Sequence, residues 1–175
     1  NLNAIYMNNA GVGIAAGDGG TIIRTVDAGV LWSIVPNPGV VANLRSVSFA
    51  DPDRAWIVGD AGTILNSLNQ GTSWIRNLNP ANQEAWTNRD LYSIVVVLTQ
   101  PGIYEGWAVG QTGEMVFTAN NGQSWIRYDA GTLQNLLALA AQKTTSQVKA
   151  WTAGTNGFLA FQQQPLAVQG INPSA

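Results

Sequence analysis

The 175-residue chain contains no cysteine and no histidine. Disulfides, thiolate chemistry, the usual zinc ligand sets and any Ser-His-Asp or Cys-His pair are therefore excluded. Charge is also scarce: only 10% of residues are Asp, Glu, Lys or Arg, against about 25% in an ordinary soluble domain. Two lysines and six arginines stand singly and form no basic stripe, so no nucleic-acid partner is expected. No apolar run approaches the roughly 18 residues of a membrane span, so no membrane insertion is expected. No permitted Asn-x-Ser/Thr glycosylation site occurs, and no signal-peptide pattern is visible. The first residue is Asn rather than Met, which reads as a processed, excised or incomplete chain. What fills the space left by charge is Asn, Gln, Ser, Thr and Gly. With 46% hydrophobic residues and seven tryptophans, the chain can still bury a core.

The content is repetitive. Four segments align on a glycine pair: Ile14–Ile22 (IAAGDGGTI), Trp56–Ile64 (WIVGDAGTI), Trp107–Met115 (WAVGQTGEM) and Trp151–Leu159 (WTAGTNGFL). The first glycines are Gly17, Gly59, Gly110 and Gly154, spaced by 42, 51 and 44 residues. In the first three repeats a tryptophan (Trp32, Trp74, Trp125) follows the glycine by 15 residues each time. An apolar run precedes each pair, beginning at Leu2, Leu44, Leu91 and Leu136.

Each repeat thus reads as four short strands: the apolar run, a strand ending at the first glycine, a strand after the G-x-x-G turn, and a strand opened by the tryptophan. Tandem four-stranded units of this length predict an all-β fold, a β-propeller of four four-stranded blades spanning about 2–36, 44–78, 91–129 and 136–170. Leu133–Gln142 could pass for a helix, but the repeat alignment makes it a strand. Three architectures fit: a closed four-bladed ring, part of a larger propeller, or an open array completed by another chain.

The turn before each tryptophan is Ser/Thr-x-Asp/Asn-x-Gly: Thr25 to Gly29, Ser67 to Gly71 and Thr118 to Gly122. Asp27, Asn69 and Asn120 are expected to accept backbone N–H groups two residues on. Gly29, Gly71 and Gly122 supply the left-handed residue, and the tryptophans wedge between sheets. The fourth repeat departs: Gln169 stands where Trp is expected, and Gln162–Pro165 replaces the turn, as in an atypical end repeat.

These motifs resemble the Asp-box of BNR repeats. Joined to Trp-x-Val-Gly-x-x-Gly-x-Ile, they most resemble the repeats of the photosystem II assembly and stability factor family. The resemblance covers residues 2 to about 161. It implies a propeller of seven blades that holds a partner protein during complex assembly, against four repeats in this chain.

Candidate contact residues fall where the pattern breaks. Two insertions, Asn77–Asp90 and Thr99–Gly106, carry Trp86, Arg89, Tyr104 and Glu105. Arg45 lies on an inner strand, at the position of Asn3, Tyr92 and Leu137, and could line the axis or bind an anion. Arg76 and Arg127 read as a solvated outer face. No catalytic set, metal site or cofactor is expected. The main expectation is a non-catalytic interaction or structural module of an extracellular or virion-type assembly, binding protein partners or copies of itself, with a glycan also open. The alternatives are an assembly factor of the thylakoid lumen or periplasm, and a glycan-binding or glycoside hydrolase propeller. A hydrolase needs two acids set near one another, and no pair stands out.

Overall fold

Alternating apolar and small polar residues, cut every few positions by Gly, Asn or Asp, leave the chain no choice but short strands. The computed structural model describes residues 1–144 and 147–165. Fifteen strands form within them: β1 Leu2–Met7, β2 Gly13–Gly17, β3 Ile22–Thr25, β4 Ser33–Ile34, β5 Leu44–Phe49, β6 Ala55–Gly59, β7 Ile64–Ser67, β8 Ile75–Arg76, β9 Leu91–Gln100, β10 Ile103–Gly110, β11 Glu114–Thr118, β12 Ile126–Asp129, β13 Leu136–Lys143, β14 Gln147–Gly154 and β15 Leu159–Pro165. They make antiparallel meanders: β1-β2-β3-β4, β5-β6-β7-β8, β9-β10-β11-β12 and β13-β14-β15. Leu136–Lys143 is a strand, as the repeat alignment requires. The segment Gln162–Pro165 is not a turn: β15 continues through it, paired with β14 from Leu159 to Pro165. The expected fourth strand of this blade, with Gln169, lies outside the described residues.

The insertion at Thr99–Gly106 lengthens one hairpin. β9 and β10 run to Gln100 and Ile103, with Pro101 and Gly102 between them.

The glycine pairs do two separate jobs. The first glycine of each pair is extended, not left-handed. It is glycine because the chain entering the inner strand crosses directly over it; a side chain at Gly59 would strike the Asn43 carbonyl. The second glycine has positive φ, 65° at Gly62, and closes a short 3-10 turn.

The sheets stack side by side, inner strand beside inner strand, and three apolar clusters fill the gaps. Ile14, Ile22, Ile57 and Leu65 sit between blades one and two. Trp56, Ile64, Ala108 and Val116 sit between two and three. Trp107, Met115, Val148 and Ala150 sit between three and four. Serines at one repeat position tie the inner strands together: the Ile94 N–H donates to Ser46 Oγ (3.2 Å) and the Leu139 N–H to Ser93 Oγ (3.1 Å). Among the described residues the ring does not close, because blade one packs on blade two alone and blade four on blade three alone.

The turns before the tryptophans hold by a different bond from the one expected. Asp27 Oδ1 accepts from the N–H of Leu31, four residues on rather than two (3.0 Å). Thr25 Oγ accepts the Gly29 N–H at 3.1 Å and donates to Asp27 Oδ1 at 2.6 Å. Asn69 and Asn120 repeat this geometry, taking the N–H of Ser73 and Ser124 at 3.0 Å. Their Nδ2 groups also donate to those serine hydroxyls (2.9 and 2.8 Å). Asp and Asn interchange here because only one side-chain oxygen is needed as acceptor.

Candidate functional site

Each inner strand begins with a bulge. Leu44 pairs with Gly59 and Ser46 with Val58, which leaves Arg45 unpaired in the ladder. The same break skips Asn3, Tyr92 and Leu137 in the other three blades. A bulge re-aims a side chain and bends its strand. These four residues therefore form one row, crossing the blades at the end where the glycine turns lie.

Hydrogen bonds fix most of that row. Asn3 Nδ2 donates to Asp18 Oδ1 (2.9 Å) and to the Leu44 carbonyl of the next blade (3.0 Å). Arg45 grips Asp60 with two bonds, Nε to Oδ1 at 2.7 Å and Nη2 to Oδ2 at 3.0 Å. That hydrogen bond raises the Arg45 pKa further above its ordinary value, so the group stays cationic. Asp18 is held below the usual carboxylate range by Asn3 and then Asn1. Burial, and then the neighbouring Asp90 carboxylate, push the Tyr92 phenol up, so Tyr92 keeps its proton. Leu137 is exposed.

Three side chains strap one blade to the next at this same end. Asn43 accepts the Gly19 N–H (3.1 Å), Asp90 the Ala61 N–H (2.9 Å) and Asn135 the Thr112 N–H (2.9 Å). Further out, Glu114 is buried beneath two arginines. Arg127 meets it with two 2.7 Å bonds and Arg89 lies 3.4 Å away. Arg89 also donates to the Thr112 carbonyl at 3.3 Å. Beside them opens a cavity of about 400 Å³ bordered by Arg89, Glu114, Arg127 and Thr132.

The opposite end of the blades carries a different cluster. Tyr104 is buried and donates to Asp51, while Arg54 donates to Tyr104 Oη (2.7 Å) and to Asp51 Oδ2 (3.0 Å). The Arg54 guanidinium also lies 4.8 Å over the Tyr104 ring. Burial works to raise the Asp51 carboxyl, but hydrogen bonds from Tyr104 and the Arg54 and Asp53 N–H groups outweigh it and hold it low.

The five contact residues expected from sequence thus occupy three places. Arg45 and Arg89 lie at the glycine-turn end. Tyr104 and Glu105 are buried in blade three. Trp86 packs on the cluster between blades two and three, and its Nε1 donates to Asn77 Oδ1 (2.8 Å), which ties the insertion down. Arg127 is not simply solvated, because the buried Glu114 holds it. Glu114 escaped the sequence reading, yet its signal was present: the equivalent positions hold Thr21, Thr63 and Phe158. Among the described residues no cluster of acids could hold a metal ion, and no helix is long and apolar enough to cross a membrane.

The architecture is shared with solved propellers. YCF48 bound to D1 peptide superposes with a TM-score of 0.62 at 19% identity, over 94% of this chain and 53% of that one. YCF48 from Cyanidioschyzon merolae gives 0.63 at 19% identity, over 94% and 55%. An ancestral GH74 enzyme gives 0.59 at 14% identity, over 93% and 27%. The chain therefore spans about half the length of the YCF48 structures it matches. No curated protein sequence matches it. The sequence model of the photosynthesis system II assembly factor YCF48 matches residues 32–137, more than half of the chain, and with its BNR-type repeats the chain belongs to that family.

Proposed function

We propose that the chain is a non-catalytic propeller module that holds a segment of a partner protein while photosystem II is assembled, in the thylakoid lumen or its periplasmic equivalent. The row of bulged residues Asn3, Arg45, Tyr92 and Leu137 carries this reading. It offers amide, guanidinium, phenol and aliphatic contacts on successive blades, as an extended peptide would need. Arg45 bonds Asp60 through Nε and Nη2, so part of its five-donor fork stays available for backbone carbonyls or a carboxylate. Arg89 extends the row outward. In this reading Trp86, Tyr104 and Glu105 serve the scaffold.

The family match favours this reading over an extracellular or virion-type subunit. Six of the described acids, Asp18, Asp27, Asp51, Asp60, Asp90 and Glu114, are each engaged in a structural hydrogen bond, which fits a scaffold role.

The test is fluorescence anisotropy with a labelled D1 peptide. The chain should bind it saturably, and Arg45→Gln with Leu137→Ser should weaken binding at least tenfold while circular dichroism stays unchanged. Absence of binding, or equal affinity in the double variant, would overturn the proposal.

A further inference from the structure

Blade one departs from the repeat on its outer rim. Counted from the first glycine of each blade, Val30, Leu31 and Ile34 stand where blade two has Thr72, Ser73 and Arg76 and blade three has Gln123, Ser124 and Arg127. The three aliphatic side chains are 78%, 71% and 82% exposed. A missing neighbour does not explain this. Thr72, Ser73 and Arg76 are exposed as well, although blade two is stacked on both sides. The positions belong to the rim, polar in two blades and aliphatic in one. Val26 and Pro36, also exposed, continue the patch. Beside it lies a hollow of about 380 Å³, bordered by Val26, Leu31, Ile34 and Pro36 and by Thr72 of blade two. It opens where blade one meets blade two, at the other end of the stack from β15.

Charge marks the same place. Arg24 and Asp27 border the hollow, where blade two has Asn66 and Asn69 and blade three Phe117 and Asn120. Arg24 donates through Nε to the Gln70 carbonyl (2.7 Å), which leaves its Nη groups to donate elsewhere. The Thr25 hydroxyl and the Leu31 N–H both bond Asp27 Oδ1, which leaves Oδ2 to accept. A surface for an acidic or a basic partner carries one sign; an apolar patch flanked by one cation and one anion is complementary to itself. The backbone agrees. The Val35 N–H bonds inward to the Ile22 carbonyl. Alternate residues of an antiparallel strand bond to opposite sides, so Ile34 turns its N–H and C=O toward the free edge of β4. Five apolar side chains of this size present roughly 400 Å², within the range of the largest patch on a monomer, which is often functional. Two such surfaces, with the backbone and charged border added, reach the ~1,000 Å² at the low end of specific interfaces.

We infer that the outer rim of blade one is a docking surface for a second copy of this chain. The copies meet about a two-fold axis at β4, where the Ile34 backbone exchanges hydrogen bonds with its counterpart. Val30, Leu31 and Ile34 pack against the same residues of the other copy, and Arg24 of each copy faces Asp27 of the other. This surface lies outside the row of bulged residues and does not rest on the assembly reading.

Sedimentation equilibrium of the chain alone tests this, and it needs no peptide. With rising concentration the mass should climb from 18.5 kDa to twice that value and stop there, with a micromolar Kd as suits a contact of this size. The triple variant Val30→Thr, Leu31→Ser, Ile34→Arg takes the residues that blade two carries at the same positions, so it should keep its circular dichroism and dimerise at least tenfold more weakly. Arg24→Gln, which leaves the aliphatic patch intact, should weaken the dimer at least threefold. Ile5→Ser, on the stacking face of blade one, should leave it unchanged. The inference is overturned by a single 18.5 kDa species up to about 100 µM, by growth beyond the dimer, by full dimerisation of the folded triple variant or of Arg24→Gln, or by loss of the dimer in Ile5→Ser, which would put the contact on the open end of the stack.

Discussion

Blades one and two show one repeat position in two environments. In blade two, Leu44 and Val47 point toward blade one and are 0% and 8% exposed. In blade one, Leu2 and Ile5 hold the same positions and are 54% and 64% exposed. Trp74 is buried, whereas Trp32 is half-buried. Gly71 has Ile14 of the first blade pressed against it, while Gly29 meets only Trp32. The residue types barely differ between the two blades; the neighbour does. Burial here is a property of the stack, as expected for units that contact only adjacent units. Blade one therefore ends in the chemistry of an interface with no described blade upon it, and Leu159 and Phe161 give blade four the same character.

The largest effect should separate the two tryptophans. Removing a buried indole costs about 3–5 kcal/mol, part transfer and part cavity. Trp74→Ala should fall in that range by urea denaturation. Trp32→Ala should cost about half as much, since solvent already reaches its ring. Equal losses would mean that something covers blade one in solution, and would break the comparison.

A middle effect concerns the glycines. Both Gly29 and Gly71 have positive φ, 93° and 78°, where an alanine is strained by about 1–2 kcal/mol. At Gly71 the new methyl would also collide with Ile14, and overpacking of that kind adds about 1–3 kcal/mol. Gly71→Ala should therefore lower the unfolding midpoint clearly more than Gly29→Ala. Should the two shift it equally, the turn's own geometry, and not the neighbouring blade, is what requires glycine.

The fold was readable because repetition multiplies weak signals. A single Gly-x-x-Gly or one stray Trp means little; three equal offsets fix four strands, their order and the wedge. What the repeat could not carry was whatever lies off its average. The bulge that re-aims Arg45 and Tyr92 leaves no mark in composition, because it is a skipped backbone pairing rather than a residue preference. The acceptor geometry of Asp27 was missed for a related reason. An Asx turn two residues on and a bond four residues on ask for the same side chain, and only the observed backbone path chooses between them. Tyr104 and Glu105 looked like loop residues because the insertion was counted as loop. It continues β9 and β10 instead, and carries them into the body of the blade.

The smallest effect sharpens the comparison at one atom. Blade one uses Asp27 where blades two and three use Asn69 and Asn120, so only the first turn can titrate. The Leu31 N–H, and then the Thr25 hydroxyl, hold the Asp27 carboxyl below the usual carboxylate range. A carboxyl with a depressed folded pKa stabilises above its unfolded pKa, about 3.9, and that stabilisation is lost as pH falls through the lower folded value. Asp27→Asn should therefore flatten the fall in stability below about pH 4, leaving the part that comes from Asp18 and Asp51, which are also held low. At neutral pH the new Nδ2 would face Leu31 instead of a serine hydroxyl. Adding Leu31→Ser rebuilds the Asn69–Ser73 pairing and should recover stability at pH 7 without restoring the acid response. Thermal melts from pH 2.5 to 7 would read both. An unchanged acid limb in Asp27→Asn would mean that the depressed carboxyl contributes nothing to the turn, and that the serine or threonine two residues before it closes the turn alone.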